Sequence, residues 1–120
     1  MPRVLLVDDD PAMLRLLEVN FRLEGFETAT VSRGEEAVDA VRTYAPDALV
    51  LDVMLPGIDG HEVVRALRDD PDLAQLPVVF LTGRTPDDPR FGAPRVAVLG
   101  KPFDPQELVG LVRASIEPPP

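Results

Sequence analysis

Four apolar runs in this sequence each lead to a polar side chain capable of chemistry. Val4–Val7 leads to Asp8-Asp9, Leu49–Leu51 to Asp52, Val78–Leu81 to Thr82, and Val96–Leu99 to Lys101. Short apolar runs of this kind read as strands buried on both faces. An acid at the end of such a strand is costly unless the site uses it, so Asp52 is the candidate reactive group. In an open parallel sheet all four ends point the same way, toward the edge where ligands bind. Three carboxylates in one cleft repel each other and raise each other's pKa values. A hard divalent cation relieves that repulsion, and Mg2+ takes oxygen ligands, keeps several waters and needs only one or two carboxylates. Lys101 adds a positive charge and Thr82 a hydroxyl. Together they suit a dianionic phosphoryl group beside a metal, with Asp52 as the nucleophile that forms an aspartyl phosphate. Each residue also has a plainer reading. Asp8 and Asp9 could lead into a helix, whose N-terminus favours acids; Thr82 could simply end a strand; Lys101 could pair with a surface acid. Their co-occurrence at four strand ends favours the chemistry.

The elements that must position these groups are legible in order. Asp10 followed by Pro11 is a helix start, an N-cap oxygen and then a proline where no amide hydrogen is needed. Leu14, Leu17 and Phe21 continue at helical spacing to a stop at Gly25. Phe26–Val31 mixes polar and apolar residues, as an edge strand would. Ser32 and Glu35 have the spacing of a capping box for a second helix carrying Ala37, Val38 and Val41, closed by Pro46. After Asp52 the chain breaks at Pro56-Gly57, and a third helix with Val63, Val64 and Leu67 ends before Pro71. A final helix starts at Asp104-Pro105 and carries Leu108, Leu111 and Val112. Strands alternating with helices imply a doubly wound α/β fold, a five-stranded parallel sheet with helices on both faces and right-handed crossovers. Between Thr82 and Lys101 the alternation breaks. Pro86, Pro89 and Pro94 interrupt any helix there, so about one helical turn at most is expected.

Composition narrows the class. The 120 residues make one ordinary domain, expected over 1–117 with 118–120 as a proline tail or the start of a linker. The absence of cysteine removes disulfides and thiolate metal sites and fits a cytoplasmic protein. No apolar run is long enough to span a membrane, so no membrane insertion is expected. A net charge of −9 makes direct nucleic-acid binding by this domain unfavourable. The single histidine, His61, reads as a solvated surface residue without a role, and Tyr44 and the methionines as packing or surface.

The stretches VLLVDDD, LVLDVMLPGIDG, VVFLTG and GKPFDP, in that order, resemble the receiver domain of two-component response regulators over essentially the whole chain. The resemblance implies the flavodoxin-like strand order 2-1-3-4-5, seen in the chemotaxis receiver. It implies that Asp52 is the phosphoacceptor, that Asp9 is the main Mg2+-binding acid with Asp8 beside it, and that the backbone carbonyl of Met54 completes the protein's metal ligands. Thr82 matches the switch hydroxyl, Gly83 the small residue that leaves the phosphoryl group room, and Lys101 the lysine that pairs with a phosphoryl oxygen. Lys101-Pro102 matches a cis peptide. The implied partners are a sensor histidine kinase or phosphotransfer protein as donor, and a downstream protein or an output domain beyond the C-terminus. The domain would be a signalling module, an enzyme only in catalysing its own phosphorylation and slow dephosphorylation.

Two departures concern the output side. The position three residues before the lysine, usually aromatic in the family, is Val98, and the segment that usually holds the fourth helix is short and proline-rich. Met54 and Arg84 match two positions that tune dephosphorylation in the family, and neither offers a carboxylate or amide to orient an attacking water, so a longer-lived phosphoryl group than in the chemotaxis type is expected. Three rival readings differ at identifiable residues. A phosphatase of the haloacid dehalogenase type needs a second Asp where Met54 stands. A flavodoxin-like cofactor binder would not place Asp8-Asp9-Asp10 in its phosphate loop. A degenerate receiver serving as an unphosphorylated docking module would have no need of the intact acids, while the altered output segment favours it.

Overall fold

The computed structural model describes residues 1–83 and 89–116. Strand β1 (Arg3–Val7) runs into the acidic stretch, where Asp10 turns the chain into helix α1 (Pro11–Leu23). The Asp10 side chain accepts the Ala12 amide at 2.9 Å, as an N-cap should. Gly25, at φ 90°, takes the left-handed conformation just beyond the helix. Then come β2 (Glu27–Val31), α2 (Ala37–Tyr44), β3 (Ala48–Asp52), α3 (Gly60–Asp69), β4 (Val78–Thr82), β5 (Val96–Gly100) and α4 (Pro105–Ile116), with single 3-10 turns at Gly34–Glu36 and Pro89–Gly92.

All strand pairs are parallel and the order is β2-β1-β3-β4-β5, the order that the resemblance implies. Side-chain alternation divides each strand between two cores. Val4 and Leu6, Val50, and Val79 and Leu81 pack with Leu17 and Phe21 of α1 and Leu108 and Val112 of α4. Leu5 and Val7, Leu49 and Leu51, and Phe80 pack with Val41 of α2 and Val63 and Leu67 of α3. β3 and β4 are buried throughout, while β2 at the edge is mostly half-buried or exposed, as its mixed composition predicts. Truncating fully buried Leu49 or Leu51 to Ala would cost about 2–5 kcal/mol and would disturb the strand that carries Asp52. Among the described residues no helix is long and apolar enough to cross a membrane.

Two local expectations need separate treatment. The Ser32–Glu35 capping box does not form. The chain enters α2 through the Gly34–Glu36 3-10 turn, neither turn nor helix has a side-chain cap, and Glu35 instead accepts from Arg33 Nε and Nη2 at 3.0 and 2.6 Å. The cause is the loop after β3. A Cβ on Gly34 would collide with the Ile58 carbonyl, so the chain is pinned there in a tighter turn than an N-cap needs. The crossover from β4 to β5 agrees with expectation, since its described part holds only the Pro89–Gly92 turn. Arg84, Pro86 and the tail at 118–120 lie outside the described residues.

Candidate functional site

The C-terminal ends of β1, β3, β4 and β5 bring the predicted residues to one edge of the sheet. Asp8, one residue past β1, is 1% exposed. Its Oδ1 accepts the Asp10 amide at 2.9 Å, and its Oδ2 is buried with no hydrogen-bond partner. Burial pushes the Asp8 carboxyl up to about 6; the Asp10 amide opposes this, the Asp52 charge adds to it, and Lys101 and Asp9 act more weakly in opposite senses. Asp9 is exposed beside it. One oxygen from each of Asp8, Asp9 and Asp52 lies within 4.8 Å of the others, a spacing that could hold a metal ion. A buried carboxylate oxygen lacking a donor, on a residue grouped with two other carboxylates, fits a small divalent cation.

Asp52, the last residue of β3, is 7% exposed. Its Oδ1 accepts the Met54 amide at 3.0 Å and its Oδ2 accepts Lys101 Nζ at 3.1 Å. The Met54 side chain is exposed. Thr82, the last residue of β4, is buried, and its carbonyl accepts the Lys101 amide at 2.7 Å. That bond ties the end of β4 to the residue that reaches Asp52. The Lys101-Pro102 bond is cis. A Cβ at Gly83 would meet no atom within 4 Å, so the space next to Thr82 is open. A cavity of about 430 Å³ lies beside Lys101, lined by Met13, Leu16, Pro102, Phe103 and Pro105. Exposed Leu16, Val19 and Leu23 extend the apolar surface along α1.

The N-terminus of α3 closes the back of the site. Asp59 caps it by accepting the Glu62 amide at 3.0 Å, and the Gly60 amide donates to the Val53 carbonyl at 3.0 Å. A Cβ at Gly60 would stand 2.8 Å from both the Asp52 carbonyl oxygen and Phe80 Cε1. Only glycine allows the helix to approach the strand so closely.

His61 corrects the sequence reading. Rather than a solvated residue it is 7% exposed, with its ring 5.0 Å from Phe80 and 4.9 Å from Phe91. The approach of Gly60 to β4 carries the next residue inward. The usable signal was helical spacing, because His61, Val64 and Arg68 share one face of α3. Arg68 was also missed: Nε donates to the Pro94 carbonyl and Nη2 to the Leu76 carbonyl, both at 3.0 Å.

Comparison with known proteins bears on the family and the fold. The response regulator receiver domain family matches residues 4–113. The DNA-binding response regulator MtrA of Mycolicibacterium smegmatis is 44% identical over 117 residues, covering 95% of this chain and 50% of that protein. The chain spans about half the length of the curated relatives it matches. Among solved structures, the receiver domain of a Francisella response regulator superposes with TM-score 0.88 at 27% identity, covering 97% of each chain. The receiver domain of a Pseudomonas aeruginosa sensor histidine kinase, solved with a magnesium ion coordinated in its active-site cleft, superposes at 0.86 with 28% identity, covering 96% of this chain and 97% of that one.

Proposed function

The chain belongs to the response regulator receiver domain family, and from that premise we propose that Asp52 accepts a phosphoryl group from a phosphohistidine on a sensor kinase or phosphotransfer protein. A carboxylate oxygen of Asp52 attacks phosphorus, the P–O bond forms, and the P–N bond to the donor imidazole breaks. Asp8, Asp9 and Asp52, with the Met54 carbonyl, would hold Mg2+, as the cleft of the Pseudomonas receiver does with its ion. When bound, the ion screens the carboxylates from the incoming anion and neutralises charge on the phosphoryl oxygens. Lys101, already 3.1 Å from Oδ2, offers its ammonium to the oxygens that gain charge. Thr82 supplies a hydroxyl next to the open space at Gly83. The Met54 amide fixes the rotamer of Asp52 through Oδ1. The apolar surface of α1 beside Lys101 suits a protein donor that must seat close to Asp52.

The observation that carries this reading is the convergence of Asp52 with Asp8, Asp9 and Lys101, four groups from three strand ends within hydrogen-bond or ligand reach. Acid-rich, phosphate-repelling surroundings make no sense for a nucleotide pocket, and the lysine makes little sense for a bare cation site. The domain is a signalling module whose covalent state biases a population of conformations. Its net charge of −9 opposes contact with nucleic acid. An output on DNA like that named for MtrA would therefore act through another protein surface.

Intact-protein mass after incubation with acetyl phosphate and Mg2+ tests the reading. One added phosphoryl group on the wild type and none on Asp52→Ala is expected. Absence of an adduct, together with no stable beryllofluoride complex, would turn the site into a docking module. Because neither Met54 nor Arg84 offers a carboxylate or amide to orient an attacking water, the adduct is expected to outlast seconds; loss within seconds in Mg2+ would show that another group orients water.

A further inference from the structure

Two features that the family resemblance leads one to expect on the β4–β5 side, an aromatic at position 98 and a helix before it, differ in this chain. Position 98 is valine, paired in register with Phe80 of β4, and the described part of the crossover before it is a single 3-10 turn, Pro89–Gly92. An aromatic ring from that turn nonetheless packs on the same cluster as Val98. Phe91, from the turn, packs 5.3 Å from Phe80 and 4.9 Å from His61, in the same apolar cluster as Val98. The cluster touches the site directly at its other end. Phe80 lies two residues before Thr82, and Gly60, the neighbour of His61, stands against both Phe80 and the Asp52 carbonyl. From the phosphoacceptor to the turn there is thus an unbroken packed path: Asp52, Gly60, His61, Phe91, with Phe80 bridging.

We propose that His61 and Phe91 form the coupling pair of this domain, transmitting a change at Asp52 and Thr82 to the Pro89–Gly92 turn in place of an aromatic at position 98. The inference rests on Asp52 being the phosphoacceptor. Packed cores shift between discrete arrangements rather than deform continuously. A displacement of Thr82 toward a phosphoryl group moves Phe80, which is on the same strand. The Phe80, His61 and Phe91 rings touch one another pairwise, at 5.0, 4.9 and 5.3 Å, so His61 and Phe91 have to follow together. A one-turn 3-10 segment has few hydrogen bonds of its own with which to resist. Its Phe91 ring is the described side chain that packs it onto both α3 and β4.

The test uses the full chain, isotopically labelled, with Mg2+ and beryllofluoride as the phosphoryl mimic. Fluorine NMR reports binding, and proton–nitrogen spectra report the Thr82, Gly83 and Gly92 amides and the His61 ring. In the wild type, bound-fluoride resonances should form, and His61 and Gly92 should shift together with Thr82 and Gly83. In Phe91→Leu, which keeps an apolar side chain, binding and the Thr82 and Gly83 shifts should persist while the Gly92 shift is lost. Fluoride binding without movement of His61 and Gly92 in the wild type overturns the coupling and leaves the Asp52 reading intact. A Gly92 shift that survives Phe91→Leu overturns it as well. Absence of bound fluoride and of any acetyl phosphate adduct overturns the Asp52 reading, and this inference with it. The wild-type titration decides even if the variant does not fold.

Discussion

Asp52 is held by its own strand-end neighbourhood: the amide two residues on and a lysine just past β5, two strands away, fix both oxygens, at 3.0 and 3.1 Å. Phe91, a short distance away on the crossover between β4 and β5, is held by rings from two other elements, His61 of α3 and Phe80 of β4. The carboxylate cleft is an electrostatic structure, built from charges that cost stability until a partner arrives. The described part of the crossover is a packing structure, a single 3-10 turn held down by the Phe91 ring. The two should therefore answer differently to the same kinds of change. Charge substitutions should alter chemistry in the first and little in the second, and shape substitutions the reverse.

The largest effect is expected at Lys101. Lys101→Ala removes the ammonium from the growing charge and should slow formation of the acetyl phosphate adduct by on the order of 100- to 1,000-fold. A mass time course at fixed Mg2+ measures it. A loss under tenfold would mean that the 3.1 Å contact to Asp52 is only an ion pair of the resting state. The Phe91 ring contacts should be unaffected, which separates the two regions.

Asp8 comes next. Its carboxyl, raised by burial from 3.8 to about 6, binds its proton more tightly when the protein is folded. Between those values the folded state holds more protons than the unfolded one, so this group lowers stability as pH rises from about 4 to 6, and the loss persists above. At about 1.4 kcal/mol per pH unit the cost at pH 7 is at most about 3 kcal/mol. Asp8→Asn keeps an oxygen for the Asp10 amide and should be the more stable protein at pH 7 without metal, with the gap closing toward pH 4. Adding Mg2+ should reverse the order, because only the carboxylate gains from the cation. Mg2+ affinity of the wild type should fall as pH drops through about 6. Thermal unfolding with and without Mg2+ across pH reads all of this; equal curves for the two proteins would remove Asp8 from the metal site.

Gly60 belongs to both regions and can break the comparison. Alanine is the better helix former by about 1 kcal/mol. Here, however, its Cβ would sit 2.8 Å from the Asp52 carbonyl oxygen and from Phe80 Cε1. Backbone on one side and a packed ring on the other cannot yield cheaply, so Gly60→Ala should lose about 2 kcal/mol in urea unfolding. It should also both slow phosphorylation and disturb the Phe91 packing. A stability loss with only one of those two consequences would mean that the regions are not joined through α3.

The same contrast explains what could be read from the sequence. Asp8, Asp9, Asp52, Thr82 and Lys101 were legible because each follows directly from a local apolar run and a parallel sheet. Strand ends need no knowledge of distant contacts. Asp10 and Pro11 were legible because an N-cap is local, and the absence of a long helix in the described crossover because Pro89 and Pro94 forbid it in place. The Ser32–Glu35 capping box failed since the turn is set by Ile58, twenty-odd residues away and invisible to spacing rules. His61 was misread for the same reason. A lone histidine after a glycine looks solvated until the Gly60 contact with Asp52 and Phe80 draws it in, and the Phe91 that covers it comes from a segment whose sequence announces only what it cannot be.

The smallest expected effect tests how the crossover is held at its far end. Arg68 reaches from the last turns of α3 to two carbonyls, Pro94 just before β5 and Leu76 just before β4, both at 3.0 Å. Its Nη1 is buried with no hydrogen-bond partner, and burial together with the nearby Arg95 charge holds the guanidinium below its ordinary pKa. The planar fork gives two donors at a fixed angle, which an ammonium on a flexible stem cannot reproduce. Arg68→Lys should therefore lose one of the two bridges, while relief of the unpartnered nitrogen offsets part of the loss. The net cost should be about 1 kcal/mol, near the worth of one hydrogen bond. It should show as a lower urea midpoint at unchanged slope, with no change in the rate of phosphorylation at Asp52. If stability is unchanged, Arg68 is dispensable and the aromatic cluster alone holds the crossover. If phosphorylation slows, the far end of α3 is connected to the carboxylate cleft, and the division into an electrostatic and a packing region would have to be replaced by a single unit spanning the length of that helix.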